Sequence, residues 1–318
     1  EQAFVALADA FARRGRAVEV RNRCAVPLDR NGVRWRPIGA GFPAAADLYI
    51  ANRGHRLIGK VRAEKSVFWL HNPGRYLRKP RYVAALLRHR PVIVALGPSH
   101  AATVPWWLPS GGRAVIPLGL PAELRAWRPP RPPPAPKAIF ASNPLRGLDW
   151  LLDLWGHAIH PAMPAAELHL YCGPAAYGES GEKARAMEMV LARAEAMGGA
   201  RIYRHEPLPR AALAEALLAA RVMLYRGDLG ETFCLALAEA QALGVPAVVQ
   251  ELGAVAERVI DGVTGMVVRD DPGFAAAAVA LLRDDALWQR QHAAALDRQR
   301  GLSWDEVAAR FEGLGACA

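Results

Sequence analysis

The sequence predicts an α/β protein of two domains, each built on a doubly wound parallel sheet. Its 318 residues make about two domains at roughly 150 residues each. Short apolar, β-branched runs alternate with helix-length segments, the pattern of parallel sheets. Residues 128–136 hold six prolines in nine positions, which excludes helix and central strand and indicates a stiff, extended linker. We therefore expect an N-terminal domain at 1–130, a second domain at 131–300, and a C-terminal helix at 301–318 that packs back towards the first domain.

The two halves of the chain differ in charge. Residues 1–136 carry 23 basic and 7 acidic residues, a balance of +16, whereas residues 137–318 carry 17 and 23, a balance of −6. A strongly basic half favours an anionic partner for that half, such as a lipid headgroup, a phosphorylated glycan or a nucleic acid. The longest apolar run, 274–282, is nine residues, whereas a membrane-spanning helix needs about 20.

The four cysteines lie far apart in the sequence and form no C-x-x-C pair; they are Cys24, Cys172, Cys234 and Cys317. This spacing predicts neither a zinc site nor a disulfide framework, and it is typical of a protein in a reducing cytoplasm.

The individual elements follow from apolar periodicity. An amphipathic helix, with apolar residues from Phe4 to Phe11, ends at 13–15 and precedes a strand at 16–21. Because an α/β domain normally places a strand before its first helix, we expect an earlier strand and its glycine-rich loop to precede this sequence. Later strands are predicted at 47–51, 66–70, 91–96, 114–117, 137–141, 168–172, 201–204, 222–225, 246–250 and 265–268. Helices in the second half are predicted at 147–159, 181–197, 209–220, 233–243 and 253–260.

Doubly wound sheets bind ligands at the carboxyl ends of their strands, so the cleft between the domains is the expected site. Glu231 follows strand 222–225 and the turn 226–230, where a helix is predicted to begin, with Thr232 and Phe233 in its first turn. Free N–H groups there suit a phosphate or sugar hydroxyls. Glu239 lies in the same, otherwise apolar helix, about 12 Å further along the axis at 1.5 Å per residue. That is roughly the distance from sugar to ribose in a nucleotide-sugar. Alternatively, both residues are structural: Glu231 interacts favourably with the helix dipole, and Glu239 is a core glutamate in a salt bridge.

This pair of glutamates, with seven residues between them and the segment 244–249 behind, resembles the donor-site motif of retaining GT-B glycosyltransferases, and of glycosyltransferase family 4 in particular. Residues 253–265 resemble that family's next segment, and residues 142–152 resemble its phosphate-binding segment. The similarity spans about 137–300, with weaker matches at 67–73, 97–100 and 116–119. The resemblance implies two Rossmann-like domains facing a cleft.

The resemblance also implies roles for single residues. Glu231 would bind hydroxyls of the donor sugar, and Glu239 would hold the ribose. Arg146 would bind the diphosphate, and His71 would end a strand and face the donor sugar. Further donor contacts fall in the phosphate segment, in the helix start after Glu231 and near the nucleobase: Asn143, Gly147, Thr232, Phe233, Cys234, Leu235, His205 and Leu208. His100 matches by position alone.

The phosphate segment departs from the family pattern, which often carries two cations. Here Ser142 and Asn143 stand where the family has its first cation, and Arg146 is the single cation left in the segment. Diphosphate binding is therefore expected to be weaker, or to use a cation from elsewhere in the chain. No D-x-D pair suited to a metal follows a strand, since the acidic pairs at 270–271 and 284–285 are predicted at helix starts. We expect no metal and no other cofactor, because a guanidinium can stabilise the leaving diphosphate.

The basic stretch 53–90 holds 11 Lys or Arg and one acid, Glu64. It is either a solvated face or a surface for an anionic membrane or acceptor, with Trp69 or Tyr76 inserting into the bilayer. Nucleic acid is not expected as a partner, because no recognised binding motif accompanies the charge. Trp106 and Trp107 either line the cleft or pack a loop.

The sequence therefore predicts a retaining, metal-independent glycosyltransferase. It would move a sugar from a nucleotide-sugar donor to a hydroxyl acceptor, which could be an envelope, lipid-linked or other anionic glycan. We expect the protein in the cytoplasm, with a peripheral association at the inner membrane face as one possibility. The alternative is a non-catalytic nucleotide-sugar or polyanion binding protein of the same fold. A phosphorylase or epimerase of this fold is disfavoured, because no motif suggests a lysine for pyridoxal phosphate.

Overall fold

The computed structural model describes residues 2–314, apart from the side chain of Tyr177; Cys317 and the last positions of the predicted C-terminal helix lie outside this range. The chain divides into two compact units. The first unit comprises Glu1–Pro121 with Leu302–Ala318, and the second comprises Ala122–Gly301.

The first unit contains three helices and eight strands before the chain leaves it. They are α1 (Gln2–Arg13), β1 (Val18–Asn22), β2 (Leu28–Arg30), β3 (Val33–Pro37), β4 (Ala45–Asn52), β5 (Arg62–Trp69), α2 (Pro80–His89), β6 (Val92–Ala95), α3 (Pro98–Ala102), β7 (Gly112–Val115) and β8 (Gly119–Leu120). Strands β4, β5, β6 and β7 form a parallel sheet in that order. This sheet buries apolar side chains such as Phe68, Leu70 and Ile93 against Leu86 of α2. The predicted strands of this half are confirmed with shifted ends.

A second, three-stranded sheet in this unit has the order β1, β3, β2. Strand β2 runs antiparallel to β3, which corrects the expectation of parallel pairing throughout. The turn between them is Asn31-Gly32, with φ of 54° and 76°. Two successive positive φ values match the right-handed twist of a hairpin, and Asn-Gly is the residue pair that adopts them at least cost.

The second unit contains the other large sheet and most of the helices. Its elements are α4 (Ala122–Arg125), β9 (Lys137–Phe140), α5 (Leu148–Leu154), α6 (His160–Ala162), β10 (Glu167–Tyr171), α7 (Gly181–Ala196), β11 (Ile202–His205), α8 (Arg210–Ala219), β12 (Val222–Leu224), α9 (Leu235–Ala242), β13 (Ala247–Gln250), β14 (Gly265–Val268), α10 (Asp271–Arg283) and α11 (Asp285–Arg298). All six strands are parallel, in the order β11, β10, β9, β12, β13, β14. The strand order reverses between β9 and β12, so the sheet is doubly wound, as predicted.

Two local predictions for this unit are wrong, and the predicted helix at 147–159 is confirmed with a change of helix type. The segment 253–260 forms only a short 3-10 turn, Val255–Arg258, instead of the predicted helix. Helix α5 passes into one π-helical turn, Trp155–Ile159, instead of continuing as a regular helix to 159. Helix α9 begins at Leu235, four residues after Glu231, so the estimate of about 12 Å by helical rise does not apply to the glutamate pair.

The proline-rich segment 128–136 forms neither helix nor strand, as predicted, but it lies within the second unit, which begins at Ala122, and is packed there through Arg131. The Arg131 guanidinium lies 5.6 Å from the ring centroid of Trp288 and also hydrogen bonds the carbonyl oxygen of Leu218. The predicted helix-terminal acids are confirmed: Asp270 accepts a hydrogen bond from the Gly273 N–H, and Asp284 accepts one from the Leu287 N–H.

After Gly301 the chain returns to the first unit. Strand β15 (Leu302–Ser303) pairs with β8, and α12 (Trp304–Glu312) follows it. Ser303 and Glu306 form a capping box at the start of α12. The Phe311 ring packs against Trp69, with 5.4 Å between the ring centroids, and Glu312 accepts hydrogen bonds from Arg14 and Arg16. This helix therefore contributes to the core of the first unit.

Candidate functional site

The side chains of interest in the second unit lie where its sheet changes direction. Residues 142–147 follow β9, and residues 225–234 follow β12, its parallel neighbour. Parallel neighbours end at the same edge of the sheet, and the point where strand order reverses leaves a crevice there for a ligand. The topology alone therefore brings the phosphate-binding segment and the Glu231 loop together.

Glu231 is hydrogen bonded through both carboxylate oxygens. The Arg146 guanidinium donates to Oε1 at 2.8 Å, and the Tyr225 hydroxyl donates to Oε2 at 2.7 Å. The Glu231 side chain is 11% exposed and that of Arg146 is 39% exposed, whereas Tyr225 is fully buried. Two predicted residues are thus in direct contact, and Tyr225, which the sequence analysis missed, fixes the orientation of the carboxylate.

Charge and burial set the ionisation of this group of side chains. Burial, the largest single effect, would lower the pKa of Arg146, but the charge and hydrogen bond of Glu231, together with Tyr225 and Asp228, outweigh it and leave the pKa raised. Burial raises the pKa of Tyr225 well above its usual value, and neighbouring Cys234 and Glu231 add to the shift. The phenol therefore stays protonated and serves as a donor to Glu231 at any ordinary pH.

The loop that carries Glu231 is held through its backbone. Glu231 N–H donates to the Asp228 carbonyl at 2.9 Å, and Ala254 N–H donates to the Glu231 carbonyl at 3.1 Å. Gly253 has φ of +66°, and a Cβ placed there would lie 2.3 Å from the Asp228 carbonyl oxygen and 2.8 Å from that of Glu231. Only glycine fits this close approach of two chain segments.

The residues after Glu231 lead into α9. Thr232 and Phe233 are buried, and Cys234, at φ of 63°, occupies the N-cap position before Leu235 begins the helix. These four residues therefore lie in a loop and at the helix start, not in a first helical turn.

Glu239 is buried in α9, with 6% of the residue exposed. Arg210 Nε, from the start of α8, lies 3.2 Å from Glu239 Oε1. Burial raises the pKa of Glu239, and the charge of Arg210 opposes the shift. Arg210 is a second residue that the sequence analysis missed. The available signal was weak: Arg210 is a cation at the predicted start of one helix, and Glu239 is the one acid of a neighbouring apolar helix.

The remaining predicted donor residues fall at the same edge of the sheet. Asn143 Oδ1 accepts a hydrogen bond from the Leu145 N–H, and Gly147 has φ of +87° at the start of α5. His205 ends β11, where its ring stacks on Tyr171 at 4.4 Å between centroids. Its Nε2 is 2.8 Å from Nδ1 of His169, and burial lowers the pKa of His205. Leu208 follows in the loop before α8 and is 36% exposed.

Two more arginines lie near the Glu231 loop. Arg226, directly after Tyr225, has its guanidinium carbon 5.0 Å from the ring centroid of Trp150. Arg258 lies over the Phe233 ring at 4.5 Å and pairs with Glu257 at 3.3 Å. The sequence analysis identified neither residue.

In the first unit, His71 follows β5, with its ring 4.3 Å from that of Trp69. Burial, with a smaller contribution from Arg53, lowers the pKa of His71 to about 3, so the ring is neutral. His100 has a structural role: its Nδ1 accepts from the Leu96 N–H at 3.1 Å, which leaves Nε2–H to donate to the Asn72 carbonyl at 2.9 Å.

Across residues 2–314, no helix has the length and apolar character needed to cross a membrane. Within the same range, no cluster of three or more His, Cys, Asp or Glu side chains is arranged to hold a metal ion.

Comparison with known proteins finds similarity to glycosyltransferases in the second unit. Residues 136–284 match the family model "Glycosyl transferases group 1". This match lies within the second unit. A D-inositol 3-phosphate glycosyltransferase of Xylanimonas cellulosilytica is 38% identical to this chain over 111 residues, 34% of this chain and 26% of that protein. The curated relatives that match are covered over only 22% to 40% of their own length.

Solved structures match nearly the whole chain, both units included. Sucrose-phosphate synthase from Thermosynechococcus elongatus has a TM-score of 0.74 at 17% identity, covering 97% of this chain and 90% of that one. Anabaena HepE, solved in complex with UDP-glucose, has a TM-score of 0.72 at 14% identity, covering 99% and 96%. At these identities the likeness concerns the fold, and it confirms the predicted GT-B fold.

Proposed function

We propose that this protein is an enzyme that transfers a sugar from a nucleotide-sugar donor to a hydroxyl acceptor. The observation that carries the proposal is the contact of Arg146 and Tyr225 with Glu231 at the point where the strand order reverses, within the match to group 1 glycosyltransferases. That position places a cation and an oriented carboxylate in the crevice that binds nucleotides in doubly wound sheets.

Arg146 is proposed to bind the donor diphosphate. Negative charge develops on the diphosphate as the bond to the sugar breaks, and a fixed guanidinium stabilises that charge. The chain supplies such cations itself, which supports a reaction without a metal ion. Asn143 and Gly147, in the same turn as Arg146, are proposed to shape this part of the site.

Glu231 is proposed to accept hydrogen bonds from hydroxyls of the donor sugar. Tyr225 holds one of its oxygens, so the second oxygen is the one that can exchange Arg146 for a sugar hydroxyl. Glu239 is proposed to bind the ribose, supported by Arg210, and His205 with Leu208 to contact the nucleobase. The neutral ring of His71 is suited to hydrogen bond a sugar hydroxyl, the role that the family resemblance implies.

Retention of anomeric configuration is the second part of the proposal. A carboxylate that serves as general base in an inverting transfer must be free to take the proton of the acceptor hydroxyl. Here Glu231 and Glu239 are each paired with an arginine, and Asp228 accepts a hydrogen bond from the Gly230 N–H. Proton NMR of the product linkage tests this: an inverted anomer would contradict the proposed mechanism.

The first experiment is a thermal-shift panel with UDP-, GDP- and ADP-sugars, because a bound ligand raises the unfolding temperature by mass action. Release of nucleoside diphosphate is then measured with the stabilising donor, with and without sugar acceptors. Binding of the donor without hydrolysis or transfer to any acceptor would favour the alternative, a non-catalytic nucleotide-sugar binding protein.

The first unit is proposed to bind an anionic acceptor at a membrane surface. Helix α2 and the preceding turn, Gly74–Arg78, expose several cations: Arg75, Arg78, Lys79, Arg81 and Arg88. Leu87 is 63% exposed among them. Each cation close to an anionic bilayer contributes about 1 kcal/mol, and salt screens the attraction.

The bilayer-inserting residues predicted from the sequence are wrong. Trp69 is fully buried, and the hydroxyl of Tyr76 is also buried. Trp106 and Trp107 are instead 87% and 48% exposed, in a loop whose Pro105 and Trp106 carbonyls accept hydrogen bonds from Arg113. Exposed tryptophans are typical of membrane interfaces.

Liposome co-sedimentation tests this surface. Binding to anionic vesicles at low salt, lost at high salt and weakened in Trp106→Ala, is the expected result, with neutral vesicles as the control. A protein that ignores anionic vesicles but binds a phosphorylated glycan in solution would favour a soluble anionic acceptor instead.

A further inference from the structure

The diphosphate site as described so far has no uncompensated positive charge. Arg146 is the one cation in the turn after β9, and its charge is already paired with Glu231 at 2.8 Å. A diphosphate approaching this pair meets one positive and one negative charge, so its attraction to the pair as a whole is small. A site that binds a diphosphate tightly needs a further cation at the same edge of the sheet.

Arg226 lies where that cation is needed. It follows β12, whereas Gly147 belongs to the turn after β9, and a Cβ placed on Gly147 would be 3.8 Å from Arg226 Nε. The arginine side chain therefore packs against the turn that carries Arg146, although the two arginines are 80 residues apart in the sequence.

Trp150 fixes the direction of the Arg226 side chain. The guanidinium carbon lies 5.0 Å from the centroid of the Trp150 ring, within the range of a cation–π interaction. The indole itself is held in place, because its N–H donates to Asp271 at 3.0 Å and its ring packs edge-on against Phe274 at 4.9 Å. An arginine stacked on an aromatic face keeps the N–H groups at its edge available for an anion.

Arg226 also lacks a counter-ion among residues 2–314. None of their carboxylates lies within 4 Å of its guanidinium, and its buried Nε has no hydrogen-bond acceptor there. By contrast, Arg258 is paired with Glu257 and Arg210 with Glu239. Asp228, two residues further along the chain, directs its Oδ1 to the Gly230 N–H.

We propose that Arg226 is the second diphosphate-binding cation of this protein, donating through its planar N–H groups to phosphate oxygens of the nucleotide. The inference rests on the proposed donor binding and adds to it a residue from the next strand. It also accounts for the single cation of the phosphate segment, because the charge missing from the turn after β9 is supplied by the residue after β12.

Isothermal titration of UDP, GDP and ADP, and of the three matching nucleosides, tests the assignment. For the nucleotide that binds, Arg226→Gln should weaken the diphosphate by about tenfold or more, the loss expected for a charge-assisted hydrogen bond. The same variant should leave the affinity for the nucleoside within about twofold, because the nucleoside has no phosphate. The diphosphate affinity of Arg226→Lys should lie between that of the wild type and that of Arg226→Gln, because lysine keeps the positive charge but lacks the planar set of N–H donors.

Arg283→Gln is the matched control. It removes one positive charge from the same unit at the other end of α10 from Asp271, where Arg283 donates to the Ala162 carbonyl. Its diphosphate affinity should stay within about twofold of the wild type, as expected for a remote surface charge screened by solvent.

Each outcome bears on a different statement. A wild-type chain that binds a nucleoside diphosphate, with Arg226→Gln binding it equally well, overturns this inference and leaves the donor site standing. Equal loss of diphosphate and nucleoside affinity in Arg226→Gln also overturns it, because that result indicates a packing role beside Trp150. A wild-type chain that binds none of the three diphosphates overturns the proposed function and this inference with it.

Discussion

Removing the charge of Glu231 should strengthen the binding of the nucleoside diphosphate product. Glu231 accepts a hydrogen bond from Arg146 at 2.8 Å, so it competes with the phosphates for this cation, and its negative charge also repels them. Glu231→Gln keeps the shape of the side chain and can still accept from Tyr225, but it frees the Arg146 charge for the ligand.

The size of the effect follows from distance and exposure. Two unit charges about 4 Å apart interact by roughly 1 kcal/mol in water and roughly 4 kcal/mol near a protein surface. Because the Arg146 side chain is 39% exposed, solvent screening places the net value near the lower figure, about 1 kcal/mol. This corresponds to a dissociation constant for UDP or GDP that is lower by about fivefold.

Titration calorimetry measures the affinity, and the same variant is assayed for turnover of the nucleotide-sugar. Turnover should fall, because the carboxylate is proposed to bind the reacting sugar. The variant should therefore bind the nucleoside diphosphate product more tightly and yet react more slowly. Glu239→Gln is the control, because it removes an equal charge that is paired with Arg210 and should raise the donor KM. Weaker or unchanged diphosphate binding in Glu231→Gln would refute the competition between Glu231 and the phosphates, and equal tightening in both variants would indicate only a net-charge effect.

Three further predictions concern single side chains. Arg146→Ala should weaken diphosphate binding by about 1.5–3 kcal/mol, and calorimetry showing an unchanged affinity would contradict its role. Tyr225→Phe should lower the free energy of unfolding by about 1–2 kcal/mol through the lost hydrogen bond to Glu231, measured by urea denaturation; Tyr203→Phe, at a 40% exposed position, should change it by less than about 0.5 kcal/mol. The pKa of His71 is held at about 3, below its unfolded value of about 6.5, so its contribution to stability is complete above pH 6.5 and is lost as the pH falls towards 3. Between pH 7 and pH 4.5 the free energy of unfolding of the wild type should therefore fall by about 2–3 kcal/mol more than that of His71→Phe, and parallel losses in urea titrations would show that the ring is not buried as a neutral group.

The sequence predicted the second unit well because its strands and helices are long, apolar and periodic. The positions of Glu231 and Arg146 were predictable from motifs, and their contact follows from adjacent parallel strands. Arg226 was not predictable in this role, since its contact with the turn after β9 depends on which strands are neighbours. The start of α9 was missed because Cys234 adopts a positive φ, which breaks the helix where the apolar pattern continues.

In the first unit, short polar strands limited the prediction. Strands β2 and β3 carry several charged residues and are only three and five residues long, so periodicity alone did not reveal them. The pair Asn31-Gly32 was the available signal for a hairpin. Burial of Trp69 and exposure of Trp106 could not be read from local sequence, because burial depends on contacts such as that between Trp69 and Phe311, far apart in the chain.

The close approach at Gly253 has a consequence for any attempt to engineer or diversify this protein. A side chain there would press on the carbonyls of Asp228 and Glu231, and both belong to the ligand loop and not to the strands of the core. Variants at this position should therefore remain soluble and yet lose donor binding. A library sorted by expression or solubility would retain them, whereas one sorted by nucleotide capture would keep glycine alone.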